Sequence, residues 1–236
     1  MAIIDRIDMK LSIIVPTLNE ESNLPLLIAD INKWQKRTEI IVVDCGSSDN
    51  TLLIATLANA KILHAQHPNR GLQMDLGADI STGEWLLFLH ADSRLSENWV
   101  EKVSKVVNNS SSRNTAWFFN LKVDKRSLFL RIMEIFVYFR SKYLKRPYGD
   151  QGLLVHNQLY KKIGGFKPMF LMEDIDIVER IGRNNDIKSL GTFIITNGRK
   201  WERSNAIKQS IKNAFLRWKW KEGDSTYSLY KKYYKK

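Results

Sequence analysis

The sequence predicts an α/β fold, a mostly parallel, mixed central sheet with helices on both faces, and three observations carry that expectation. Short apolar, β-branched runs alternate with helix-like segments through the first half of the chain. Each run stops at turn-forming or polar residues, as strands do when they hand over to covering helices. The 236 residues are 44% hydrophobic and 26% charged, enough to bury a large core, which excludes disorder as the main character.

Taken in order, Leu11 to Val15 reads as a first strand ending at Pro16, and the polar Asn19 to Ser22 opens a helix running through Trp34. Ile40 to Val43 is a second strand. It closes on a glycine turn, Asp44 to Asn50, that leads into a helix beginning near Thr51. Lys61 to Ala65 reads as a strand, Gly71 to Ile80 as a helix, and Trp85 to Leu89 as a fourth strand stopping at His90-Ala91-Asp92. In such a sheet the ligand site lies outside the carboxyl ends of the strands. Beyond residue 110 the rhythm breaks: Ala116 to Val123 and Gly149 to His156 read as strands, with a helix over Ser127 to Leu144 between them. Helices follow at Gln158 to Ile163 and Met172 to Asn184, then a strand at Lys188 to Ile195 and a basic amphipathic helix from Asn205 to Trp220.

Several classes drop out on composition. The run Ser127 to Phe139 is too short to span a bilayer and carries Arg131 and Glu134, so no transmembrane segment is expected. The first ten residues do not pattern as a secretory leader. A single cysteine, Cys45, excludes an intrachain disulfide and a multi-cysteine metal site, and a reducing cytoplasm is the expected compartment. Without a second thiol or an identifiable base, Cys45 is not expected to act as a nucleophile. The net charge of +12 is concentrated: Arg199 to Lys236 holds twelve Lys and Arg against three acids. A localised basic tail points to a polyanionic neighbour, nucleic acid or an anionic membrane surface.

Acidic groups stand at or just beyond predicted strand ends or loops: Asp44, Asp92 and the Glu173-Asp174 pair. Each alone reads as a cap or loop residue. Together they are placed to converge on one ligand at a single rim of the sheet.

The segments LSIIVPTLNEESN (Leu11 to Asn23), IIVVDCGSSDNT (Ile40 to Thr51), GEWLLFLHADS (Gly83 to Ser93) and LMEDIDI (Leu171 to Ile177) resemble, in order and spacing, the family-2 inverting glycosyltransferases. HADS, YGDQG (Tyr148 to Gly152), GGF (Gly164 to Phe166) and RKWER (Arg199 to Arg203) resemble a bacterial subgroup of transferases associated with radical-SAM and selenium-related proteins. The resemblance implies a Rossmann-like nucleotide-diphospho-sugar transferase (GT-A) fold, with residues 1–204 as the catalytic domain and 205–236 as a basic extension.

It also implies roles. Pro16, Thr17, Glu20, Asp44, Arg70, Gln73, Ala91 and Asp92 match donor-binding positions, Asp44 being the acid that meets the base or ribose of a nucleotide sugar, UDP-sugar by default. Asp92 matches the last acid of the D-x-D motif, which holds Mn²⁺ or Mg²⁺ against the diphosphate. His90 replaces the motif's first Asp, either as a ligand or as a supporting residue. Asp174 matches the general base, with Glu173 as its alternative or its orienting neighbour. Asp150, Gln151 and Trp201 are assigned to the acceptor, a sugar, lipid or other hydroxyl compound.

Two rival readings remain: a sugar-nucleotide-binding protein without activity, and a nucleic-acid binder using the tail's interleaved aromatic and basic residues. For the Ser127 to Arg146 segment, Leu128, Phe129, Ile132, Ile135, Phe136 and Phe139 form an apolar stripe flanked by Lys125, Arg126, Arg140, Lys142, Lys145 and Arg146. Such a helix either packs in the core or, with the tail, lies at an anionic membrane surface.

Overall fold

The structure, a computed structural model, describes residues 11–125, 127–196 and 206–234. Its first half contains the parallel strands β1 (Leu11–Thr17), β2 (Thr38–Asp44), β3 (Lys61–His64) and β4 (Trp85–Phe88). They are joined through helices α1 (Leu24–Ile31), α2 (Thr51–Leu57) and α3 (Arg70–Asp79). Strands β1, β2 and β4 are covered on both faces, which is why they are spelled almost entirely in apolar residues. Along β1, Ile13 and Val15 join one core with Leu24, Leu27 and Ile31 of α1, whereas Ile14 joins the other with Met74 and Ala78 of α3. The period of two thus sends successive side chains into separate layers.

The second half adds β5 (Ser93–Leu95), α4 (Trp99–Val107), β6 (Thr115–Val123), α5 (Leu128–Tyr143) and β7 (Leu153–His156). It continues with α6 (Asn157–Lys162), α7 (Glu173–Gly182), β8 (Asp186–Thr196), α8 (Ala206–Lys221) and α9 (Thr226–Tyr234). The eight strands form one sheet in the order β3-β2-β1-β4-β7-β6-β8-β5. It is mixed as expected: β7 runs antiparallel to β4 and β6, β8 parallel to β6, and β5 antiparallel to β8. Buried Asp30 of α1 accepts from the Arg94 guanidinium at 2.7 and 3.2 Å and from the Leu95 N–H at 3.0 Å. That contact pins β5 against α1 and fixes the segment just after Asp92.

Several elements were missed or left open by the sequence reading, and three of them bear on the argument. The predicted strand from Gly149 begins instead as a 3₁₀ turn over Gly149–Gln151, and β7 starts only after Gly152, whose φ of +61° breaks the extended chain. Helix α4 was not foreseen, although Trp99, Val103, Val106 and Val107 are buried at helical spacing. Helix α5 does not pack as a core helix: Leu130 and Ser141 are its buried residues, and most of its apolar stripe faces outward. Among the described residues, no helix is long and apolar enough to cross a membrane.

The C-terminal helices are packed against the molecule. Leu216 of α8 and Leu229 of α9 are buried with Met172 and Ile175 in a third, smaller core, against which Tyr148, Trp220 and Tyr233 also pack. Arg199, Trp201 and Arg203 lie outside the described residues.

Candidate active site

An open cleft with a cavity of about 200 Å³ lies beyond the carboxyl ends of β1 and β4. Its lining brings together Pro16, Thr17 and Glu20 after β1, Arg70 and Gln73 of α3, and His90, Ala91 and Asp92 after β4. These eight positions come from three separated segments, and all were singled out in the sequence. Phe170, Leu171 and Tyr230 complete the wall with Leu18 and Pro68. Phe170 and Leu171 adjoin the Glu173-Asp174 pair, so proximity in sequence could have flagged them. Nothing local signals Tyr230, which reaches the cleft because α9 folds back.

The start of α3 is built for close approach. Asn69 caps it, its side-chain oxygen accepting from the Leu72 N–H at 3.0 Å. A Cβ on Gly71 would stand 2.2 Å from the Lys167 carbonyl oxygen, so only glycine lets α3 meet the loop before α7. The meeting places Arg70 against Glu173, Nη1 to Oε1 at 3.3 Å. Gln73, buried, donates to the Thr17 and Val43 carbonyls at 3.2 and 2.8 Å and ties the ends of β1 and β2 together.

The entry to α7 is strained. Met172 adopts φ +71°, a left-handed conformation that costs a non-glycine residue on the order of 1 kcal/mol. Its side chain is buried against Leu216 and Leu229, so packing from the C-terminal helices offsets the strain. Glu173 follows at 2% exposure, and burial lifts its pKa to about 6, with Arg70 opposing the rise and the charge of Asp174 adding to it. Because this value lies above the ordinary 4.5, its contribution to stability is full below about 4.5 and is lost as pH rises through about 6.

Asp174 is oriented by two backbone donors, the Gly149 N–H on Oδ2 and the Ile175 N–H on Oδ1, both at 2.8 Å. It borders a small hollow with Tyr148 and Gly149 rather than the lining of the main cleft. A Cβ on Gly149 would lie 3.1 Å from His90 Nε2 and 3.3 Å from the Asp174 Cβ, so the 3₁₀ turn passes tightly between those two residues. Asp150 follows, its Oδ1 buried without a hydrogen-bond partner among the described residues. Burial raises its pKa, opposed by Arg140 and reinforced by the charges of Asp174 and Asp92. The three aspartates therefore share one electrostatic neighbourhood.

Two assignments are corrected. Asp44 stands at the end of β2, fully buried, with Thr17 and Ser47 hydroxyls on Oδ1 and the Gly46 and Ser47 N–H groups on Oδ2. Four donors fill the four acceptor sites of a carboxylate, leaving none for a nucleotide. Its work is to shape the glycine turn. Gln151 is likewise fully buried: its Oε1 accepts from Arg140, Ser141 and the Tyr148 N–H, and its Nε2 donates to Phe119, so it does not meet an acceptor. Trp201 lies outside the described residues. Cys45 is buried beside Asp44, and both effects raise its thiol pKa, which suits an inert side chain.

Among the described residues, no group of three or more His, Cys, Asp or Glu is arranged to hold a metal alone. Asp92 and His90 nevertheless offer one carboxylate and one imidazole to the same cleft. This donor set fits a divalent cation whose remaining ligands come from a bound diphosphate and water.

Comparison with known proteins places this geometry. A PGL/p-HBAD biosynthesis glycosyltransferase of Mycobacterium bovis is 40% identical over 94 residues, 36% of this chain and 36% of that protein. The chain thus spans about a third of that relative. The structure of S. aureus TarS 1-349 in complex with UDP-GlcNAc superimposes with a TM-score of 0.62 at 20% identity, covering 81% of this chain and 59% of that one. Glucosyl-3-phosphoglycerate synthase from Mycobacterium tuberculosis, in complex with Mg²⁺ and UDP, gives 0.56 at 17% identity, covering 80% and 70%. Both likenesses establish the shared GT-A-like fold. The model of the family described as Glycosyl transferase family 2 matches residues 12–162, well over half of the sequence, and the chain belongs to that family.

Proposed function

We propose that the protein transfers a sugar from a nucleotide-sugar donor, a UDP-sugar by preference, to an acceptor hydroxyl with inversion at the anomeric carbon. The observation that carries this reading is the convergence of Pro16, Thr17, Glu20, Arg70, Gln73, His90, Ala91 and Asp92 on one cleft at the strand ends. Asp92, with His90 beside it, would hold Mn²⁺ or Mg²⁺. When bound, the cation would offset the negative charge that develops on the departing diphosphate. Asp174 removes the acceptor proton as the oxygen attacks the anomeric carbon, and the nucleoside diphosphate leaves from the opposite face. The two N–H groups on Asp174 fix its carboxylate ahead of that event. Glu173, buried and paired with Arg70, joins the base to the donor cleft as its positioning neighbour. Asp150 faces the acceptor side. The HADS, YGDQG and GGF motifs support membership of the subgroup associated with radical-SAM and selenium-related proteins.

Tyr230 supplies an aromatic wall in contact with the Phe170 ring, 5.8 Å between centroids. Stacking of a base on such a ring is worth about 1–3 kcal/mol. In a thermal-shift screen of nucleotide sugars with Mn²⁺, at least one donor stabilises the wild type, by about 2.7 kcal/mol at a hundred times its Kd. Tyr230→Ala then needs roughly tenfold more of that donor for the same shift. Stabilisation by RNA and by no nucleotide sugar would move the assignment to the nucleic-acid class.

A further inference from the structure

We infer that the outward face of α5 seats this protein on a bilayer surface rich in anionic lipid. Leu128, Ile132, Ile135, Phe136, Phe139 and Tyr143 recur at 3- and 4-residue spacing and lie on one side of the helix, from 45% to 79% exposed. A stripe this long and this exposed is not an ordinary surface, because its helix buries little of itself against the sheet.

The charge around it selects the occupant. Glu134 is the only acid on α5, and it is turned inward, accepting from Arg131 and from the Val123 N–H of β6 at 2.7 Å. The stripe therefore carries no acid of its own. Lys125 precedes the helix, and Lys142, Lys145 and Arg146 close it, Lys145 paired with Asp186 at 2.8 Å and Arg146 4.0 Å from Glu179. Among the described residues Lys142 has aromatic partners and no acid: it donates to the Tyr138 hydroxyl at 2.7 Å and faces the Tyr138 and Tyr143 rings. Apolar side chains flanked by aromatic hydroxyls and lysines match the layered chemistry of a headgroup boundary, with each basic residue adding attraction to anionic lipid. A second copy of the chain fits less well. Two chains that each carry +12 repel on approach, and a stripe with no acid of its own offers a second copy's lysines no counter-charge.

The inner side of the same helix reaches the candidate active site. Arg140 donates to Gln151 at 3.1 Å and lies 3.6 Å above the Tyr148 ring, beside Asp150 and Asp174. A lipid-linked acceptor would thus enter from the headgroup layer next to the base. That consequence rests on the transfer reaction proposed above, whereas the docking does not.

The test is co-sedimentation of the full chain with phosphatidylcholine vesicles, with and without phosphatidylglycerol. At low salt the wild type sediments with the phosphatidylglycerol vesicles and is largely released at high salt. Ile132→Glu with Phe136→Glu weakens partitioning by more than about tenfold. Leu53→Glu with Leu57→Glu, the same charge change on the exposed residues of α2, leaves it unchanged. All variants are checked for a wild-type melting curve and for UDP binding, so a failed docking and a failed donor site are read separately. Wild-type protein left in the supernatant, equal sedimentation of the α5 variant, or equal loss in the α2 variant overturns the proposal. So does a solution dimer that the α5 substitutions dissociate, which assigns the face to a second copy.

Discussion

Asp174→Asn binds donor as the wild type does and transfers sugar roughly 10²–10⁴-fold more slowly, the loss expected when a general base is removed. The substitution keeps the shape of the side chain but replaces one proton-accepting oxygen with a donor. The single amide oxygen serves only one of the two backbone N–H groups that meet the wild-type carboxylate, from Gly149 and Ile175, and the other loses its acceptor. The variant is therefore assayed beside a melting curve. Glu173→Gln is the control: it removes the buried charge and weakens the hold of Arg70, yet leaves Asp174 intact. Parallel measurement of kcat and donor affinity separates the two residues. If Glu173→Gln loses transfer and Asp174→Asn does not, the roles are reversed.

Asp92→Ala abolishes metal-dependent turnover of the nucleotide sugar while leaving the sheet folded. Asp92 lines the cleft after β4 and sits outside all three hydrophobic cores, so its removal creates no core cavity. What disappears is a carboxylate ligand for the cation at the diphosphate, and loss of that charge stabilisation slows leaving-group departure by several powers of ten. Chelator should bring the wild type to the level of the variant and leave the variant unchanged. Equal activity with and without chelator in both proteins removes Asp92 from the metal.

The parallel half of the sheet was legible because β1, β2 and β4 are buried on both faces and must be spelled in continuous apolar runs. The cleft was legible because parallel strands bring their carboxyl ends to one rim, where Arg70, Gln73 and Asp92 converge. Asp44 was misread for a physical reason. A carboxylate at a strand end looks the same whether it awaits a ligand or is saturated, and one of its donors, Thr17, lies 27 residues away. Gln151 was misread in the same way, since its partners on α5 and β6 are distant in sequence. Tyr230 was invisible because its position depends on Leu229 packing against Met172, a tertiary contact that no local period encodes. The exposure of α5 was left open because an amphipathic stripe looks alike whether it covers a core or meets another surface.

Titration calorimetry of UDP into the full chain with Mn²⁺ present, repeated in chelator, tests the central claim most directly. The cleft described here binds one UDP per chain with Mn²⁺, and at least tenfold more weakly without it. If neither UDP, GDP nor TDP gives heat with Mn²⁺ present, the cleft is not a nucleotide-diphosphate site and the proposed reaction falls with it.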